Sequence, residues 1–235
     1  MKKHVVVFDM DETLGYFQNM GIFYYTLQNY IQHQITFEIF CKLIDLYPQI
    51  LRPKIFSILK YLIEVRRTTK LEIMIYTNNQ GPKEWVQLIK NYFEYKLNTE
   101  IFTKIIRAFM VNGKVIEPKR TSHNKTYKDL LRTTRIPKEA KICMIDDVYY
   151  DGMENNNVYY LHIDPYVSSL HYTTMVDRLI DSKILGTLNK KHLLKNMTNA
   201  FAGVKFYEKS DKTHEIDIIV GKTIQIGLQE FFHEM

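Results

Sequence analysis

The sequence predicts an α/β protein, a three-layer sandwich of helices about a central parallel sheet, and three observations carry that prediction. Short apolar runs that stop at polar residues recur at 5–15, 71–79 and 140–148, with a fourth at 157–165. Helix-like segments separate them. The runs are apolar at successive positions instead of alternating, which is the pattern of strands covered on both faces. Strand alternating with helix then demands crossovers, and these are right-handed.

The first run, "VVVFDMDETLG" at 5–15, delivers Asp9 and Asp11 to the end of a buried strand, with Thr13 just beyond. Residues 16–52, aromatic-rich and opening "YFQNMGIFYYTLQNY", read as an irregular insert or flap over the site, ending where Arg52 precedes a proline and should be extended. "PKIFSILKYLIEVRR" from Pro53 reads as a helix, since proline is well placed in a first helical turn. "LEIMIYTNN" (71–79) is the second strand and ends in Thr77 and Asn78. A helix from Gly81, "GPKEWVQLIKNYFEYKL", follows it. "FMVNGKVI" (109–116) has the Asn-Gly pair of a tight hairpin at Asn112 and Gly113. "NKTYKDLLRTT" from Asn124 reads as a helix opened by Lys125, and "AKICMIDDV" (140–148) as a strand ending in Asp146 and Asp147. Beyond about residue 183, "ILGTLNKKHLLKNMTNAF" reads as a helix and "HEIDIIVGKTIQIGL" as two strands meeting near Gly221. The expected organisation is a core over 1–182, with a small insert at about 16–52, and a C-terminal extension over 183–235 packed on it.

Composition narrows the function. The 235 residues with 46% apolar content suit one substantial globular domain. No stretch approaches the roughly 18 apolar residues of a membrane span, and the start "MKKHVVVFD" lacks a cleavable leader pattern. A soluble intracellular protein, cytoplasmic or nuclear and with no membrane partner, is therefore expected. Cys41 and Cys143 stand apart with no CxxC, so they are expected as free thiols and not as zinc ligands. Net charge is +6, and residues 104–141 hold eleven Lys or Arg against three acids. That excess favours anionic partners, phosphorylated or nucleic-acid ligands among them.

In open parallel sheets ligands sit beyond the carboxyl ends of the strands. Three strands deliver Asp9 with Asp11, Thr77 with Asn78, and Asp146 with Asp147 to that rim. The set suits a phosphate ester. Asp9 would attack phosphorus, and Asp11 would protonate the leaving oxygen and then activate water. Asp146 would offer a hard oxygen to Mg2+, and Thr77 and a lysine would stabilise the phosphoryl oxygens. Lys125, at the helix start and nearest the strand ends, is preferred for that role. Lys128 is the alternative. Asn78 is a candidate phosphate contact or helix cap. Asp147 is a candidate metal ligand, or a group that orients Lys125 and Asp146 from behind.

Taken in order, "DMDETLG", "IYTNN", a lysine near 125 and "MIDDV" resemble the four motifs of the haloacid dehalogenase (HAD) superfamily. They span roughly 60% of the chain. The resemblance implies a HAD-like, Rossmann-type sandwich without a large cap domain, and Mg2+ held by Asp9, Asp11, Asp146 and Asp147. Asp11 points away from dehalogenase chemistry, because members resembling true dehalogenases lack that second acid. "DMDETL" is most similar to the phosphatase group acting on the RNA polymerase II C-terminal domain, also described as NLI-interacting-factor-like. It implies hydrolysis of phosphoserine or phosphothreonine in a protein partner through an aspartyl-phosphate. A phosphatase for phosphorylated nucleic-acid ends, or a non-catalytic binding protein of the same fold, are the other readings.

Overall fold

The computed structural model describes residues 3–168, 170–206 and 208–233. Five strands form one parallel sheet: β1 (His4–Phe8), β2 (Leu71–Tyr76), β3 (Phe102–Ile106), β6 (Lys141–Asp146) and β7 (Val158–His162), in the order β3-β2-β1-β6-β7. A two-stranded hairpin, β4 (Met110–Val111) with β5 (Lys114–Val115), turns at Asn112 and Gly113, both at positive φ as a tight hairpin requires. The helices are α1 (Gln18–Ile31), α2 (Phe37–Leu46), α3 (Ile55–Thr68), α4 (Lys83–Leu97), α5 (Tyr127–Thr134), α6 (Tyr172–Ser182), α7 (Lys190–Ala200) and α8 (Asp211–His233).

The run of consecutive apolar residues in β1 is explained by its central place. Val5 and Val7 join one core with Met74, Ile142 and Met144, under α5 and the 3-10 turn at Asp151–Met153. Val6 and Phe8 face the opposite way, into a larger core shared with residues from α1 to α4 and α6 to α8. The sandwich is therefore lopsided. Because β2, β1 and β6 are immediate neighbours paired in register, the three polar strand ends meet at one point of the rim.

Several expectations change. Residues 16–52 are not irregular: α1 and α2 occupy most of them, with Thr36 capping α2 by accepting from Ile39 N. Dense aromatics obscured the helical period there. β3 lies in a stretch that had not read as a strand, because Thr103 and Lys104 interrupt its apolar run. α5 starts at Tyr127 after its cap Thr126, so Lys125 lies in the loop before the helix instead of opening it. Within 184–201 only Lys190–Ala200 is helical.

The largest correction concerns "HEIDIIVGKTIQIGL". It lies within one helix, α8, and not in two strands. Its buried positions Asp217, Gly221, Ile224, Leu228 and Phe231 recur at spacings of four and three, a helical stripe that outweighs the β propensity of Ile, Val and Thr. Gly221 marks a close approach and not a turn. A Cβ there would stand 2.5 Å from the Pro53 carbonyl oxygen, where α8 crosses the start of α3. Among the described residues no helix is long and apolar enough to cross a membrane. Cys41 and Cys143 are both free and buried.

Candidate active site

The site begins where β1 stops. Asp9 N–H still donates to Ile145 O, so its carboxylate stands at the sheet's edge beside β6. The chain then turns sharply, with Glu12 at φ 62° and its N–H bonded to Gly15 O. Gly15 has no alternative: a Cβ would lie 2.5 Å from Ile50 O, so the turn and the end of the insert touch through backbone. Arg52 fixes this turn from behind. Its Nε donates to Thr13 O at 2.6 Å and its Nη2 to Glu12 O at 2.5 Å and Asp164 O at 2.8 Å.

Lys125 joins the two outer acids. Its ammonium, 1% exposed, donates to Asp9 Oδ1 at 2.5 Å and to Asp146 Oδ2 at 2.7 Å. The rings of Tyr76 and Tyr150 lie 5.7 and 5.4 Å from Nζ and add cation–π attraction. Burial alone would lower the Lys125 pKa, but the paired carboxylates outweigh it and hold the group charged, above its usual range. Burial pushes Asp9 well above the usual carboxylate range against the pull of Lys125, and Asp146 and Asp11 add to the rise. Asp146 is raised for the same first reason. Asp11 is pushed up to about 6, chiefly by burial, although a hydrogen bond from Asn79 Nδ2 at 2.8 Å opposes the shift.

Asp9, Asp146 and Asp147 each offer a carboxylate oxygen, all within 4.8 Å of one another, which suits a hard divalent cation. Asp11, expected as a further ligand, lies outside that group. Its Oδ1 is buried without a hydrogen-bond partner among the described residues. Asp147, weighed as a support for Lys125, instead accepts from Thr13 Oγ1 at 3.0 Å. Asp9, Asp11 and Asp146 are all raised, first by burial, and the acids crowded at this rim outnumber the single ammonium among them. A divalent cation is what would relieve that imbalance.

Thr77 is buried just past β2, and its Oγ1 accepts from Asn79 N at 3.0 Å, leaving its own proton to donate. Asn78 does not cap a helix. Its Oδ1 accepts from Arg120 Nη2 at 2.8 Å and its Nδ2 donates to Tyr150 Oη at 3.0 Å. Lys128 is exposed on α5, whereas Lys125 makes both acidic contacts, so the geometry selects Lys125.

Three supporting residues escaped sequence reasoning. Arg120, 2% exposed, donates to Arg107 O, Asn78 Oδ1 and His123 O and lies over the Tyr76 ring, tying the end of β2 to the loop that carries Lys125. Within a run of eleven cations nothing distinguishes it from a solvated residue. Asn79 holds Asp11, and its one signal was its place next to Asn78. Arg52 was read only for its backbone. Beside Asp11 and Asn79, a slot of about 330 Å³ opens between Phe17, Ile22 and Tyr25 of the insert and Trp85 of α4.

No family model matches the chain, and neither curated proteins nor solved structures give a match.

Proposed function

We propose that this chain is a phosphomonoester hydrolase of HAD type that uses Mg2+ and acts on phosphoserine or phosphothreonine in protein. The observation that carries the reading is the convergence of Asp9 and Asp146, from neighbouring strands, on the single buried ammonium of Lys125. Asp9, Asp146 and Asp147 fit the metal, which when bound would shield the phosphoryl oxygens from the attacking carboxylate.

The chain's own residues supply the rest. The Asp9 carboxylate forms a bond to phosphorus while the bond to the leaving oxygen breaks, and Asp11, protonated in part near neutral pH, gives that oxygen its proton. Asp11 then takes a proton from water, whose oxygen attacks the phosphorus and releases phosphate and free Asp9. Lys125 and the Thr77 hydroxyl stabilise the charge that gathers on the phosphoryl oxygens. Asn79 aims Asp11. The apolar slot lies on the leaving-group side, where the residues flanking a phosphorylated side chain would rest.

The basic stretch that favoured a nucleic-acid end loses weight, because Arg120 and Lys125 turn inward and Lys104 and Arg132 donate to Thr133 O and Asp129. Hydrolysis of p-nitrophenyl phosphate with Mg2+ is the direct test, and Asp9→Asn should reduce it by on the order of 10⁴-fold. Activity unchanged in that variant removes the proposed nucleophile. Phosphopeptides should be hydrolysed in preference to 3'-phosphorylated oligonucleotides, and the opposite preference transfers the reading to nucleic-acid ends.

A further inference from the structure

Behind the catalytic turn lies a second cavity, of about 840 Å³, which the proposed reaction does not use. Two side chains that line it are buried and incompletely paired among the described residues. Arg52, 1% exposed, leaves Nη1 without a hydrogen-bond partner although its other nitrogens are engaged, and Ser168, 6% exposed, leaves Oγ without one. A buried guanidinium nitrogen carries two N–H donors and no acceptor, so leaving it unmatched is costly and an acceptor is the only remedy.

The backbone points the same way. The first turn of α3 borders the cavity, with Ile55, Phe56 and Ser57 in its wall. Lys54 at its N-cap provides no side-chain cap, and no acid occupies that turn. Ile55 N–H is taken up by Arg52 O, and the amides that follow it, at the positive end of a 14-residue helix, have no side-chain cap beside the cavity. Lys54 stands at the rim, and so does Lys209, which is already paired with Asp217. Of the acids nearby, Asp45 is already bound by Tyr92 and Lys96 and the buried Asp217, which acts on Arg52, by Lys209, while Asp211 lies at the start of α8.

We propose that this cavity is a binding site for a phosphate-class oxyanion, separate from the acidic cluster and independent of whether that cluster hydrolyses anything. A guanidinium, a hydroxyl and a helix terminus line it, and an acceptor-only tetrahedral anion is the chemistry that suits such donors. Because the same guanidinium holds Thr13 O and Glu12 O, an anion here is coupled to the turn that bears Asp11. The cavity exceeds the size of a lone phosphate and admits either the free ion or a phosphoryl group on a peptide.

The test separates this site from the catalytic one. Inorganic phosphate is titrated by calorimetry into full-length protein carrying Asp9→Asn, with EDTA present so that no metal can recruit the anion to the acids. One saturable site is expected, and its affinity should fall at least about tenfold in Lys54→Glu and in Ser168→Asp, each made in the same background. No binding under these conditions, or binding indifferent to both substitutions, overturns the proposal. Should either variant fail to fold, tungstate soaked into crystals of the unmodified protein decides. Anomalous density between Arg52 Nη1 and Ser168 Oγ supports the site, and density beside Lys125 alone overturns it. Competition by singly and doubly phosphorylated peptides identifies the source, a chain-borne phosphoryl group if peptide displaces phosphate at lower concentration and the free ion if it does not.

Discussion

Lys125 and Arg52 are both buried cations within reach of the turn that follows β1, yet they are compensated in opposite ways. Lys125 sits among carboxylates, and its two bonds are ion pairs with Asp9 and Asp146. Arg52 bonds only backbone oxygens, those of Glu12, Thr13 and Asp164. A compact ammonium suits a place where charge must be balanced and rebalanced, and a planar fork suits a place where three carbonyls must be held in fixed relation. The rim thus uses its two cations differently: one balances carboxylate charge, and the other fixes the shape of the backbone.

Replacing each cation tests that difference. Lys125→Met should lower turnover of p-nitrophenyl phosphate by about 10²–10³-fold, the loss typical of one preorganised donor. The same substitution uncovers Asp9 and Asp146, so its loss of thermal stability should shrink when Mg2+ is added. A midpoint that ignores the metal breaks the comparison. Arg52→Ala should cost about 3 kcal/mol or more by stripping a charged donor from three carbonyls, a drop of about 6–12 °C in the unfolding midpoint. Mg2+ should not restore it, since the hydrogen bonds lost are those to three carbonyls, which the metal does not replace.

Smaller effects sharpen the picture. Gly15→Ala, which forces a methyl against Ile50 O, should cost about 1–3 kcal/mol by overpacking and should lower activity along with stability. Lys128→Ala, on the exposed side of α5, should change stability by less than about 0.5 kcal/mol and leave turnover at the unmodified level. Loss of turnover there would transfer the role assigned to Lys125.

What the sequence made legible followed from local chemistry at strand ends. Asp9, Thr77 and Asp146 each close an apolar run, and consecutive apolar residues identified strands buried on both faces, so the sheet and its polar rim could be read directly. Supporting residues were invisible for a physical reason. Arg120 and Arg52 matter through bonds to backbone oxygens distant in the chain, which no spacing encodes. The helices of 16–52 and α8 were hidden by composition: aromatics and β-branched residues masked a helical period that shows plainly once the buried positions are known.

The far end of α8 reaches the central strand. The ring of His4, at the head of the central strand, packs edge-on against Phe231 with centroids 5.8 Å apart, and Phe232 covers it from another side. Two elements far apart in the sequence, β1 and α8, are thus sealed against each other. A contact of such sequence separation carries a loop-closure cost that the local helices do not, so the head of the central strand should be secured later in folding than they are.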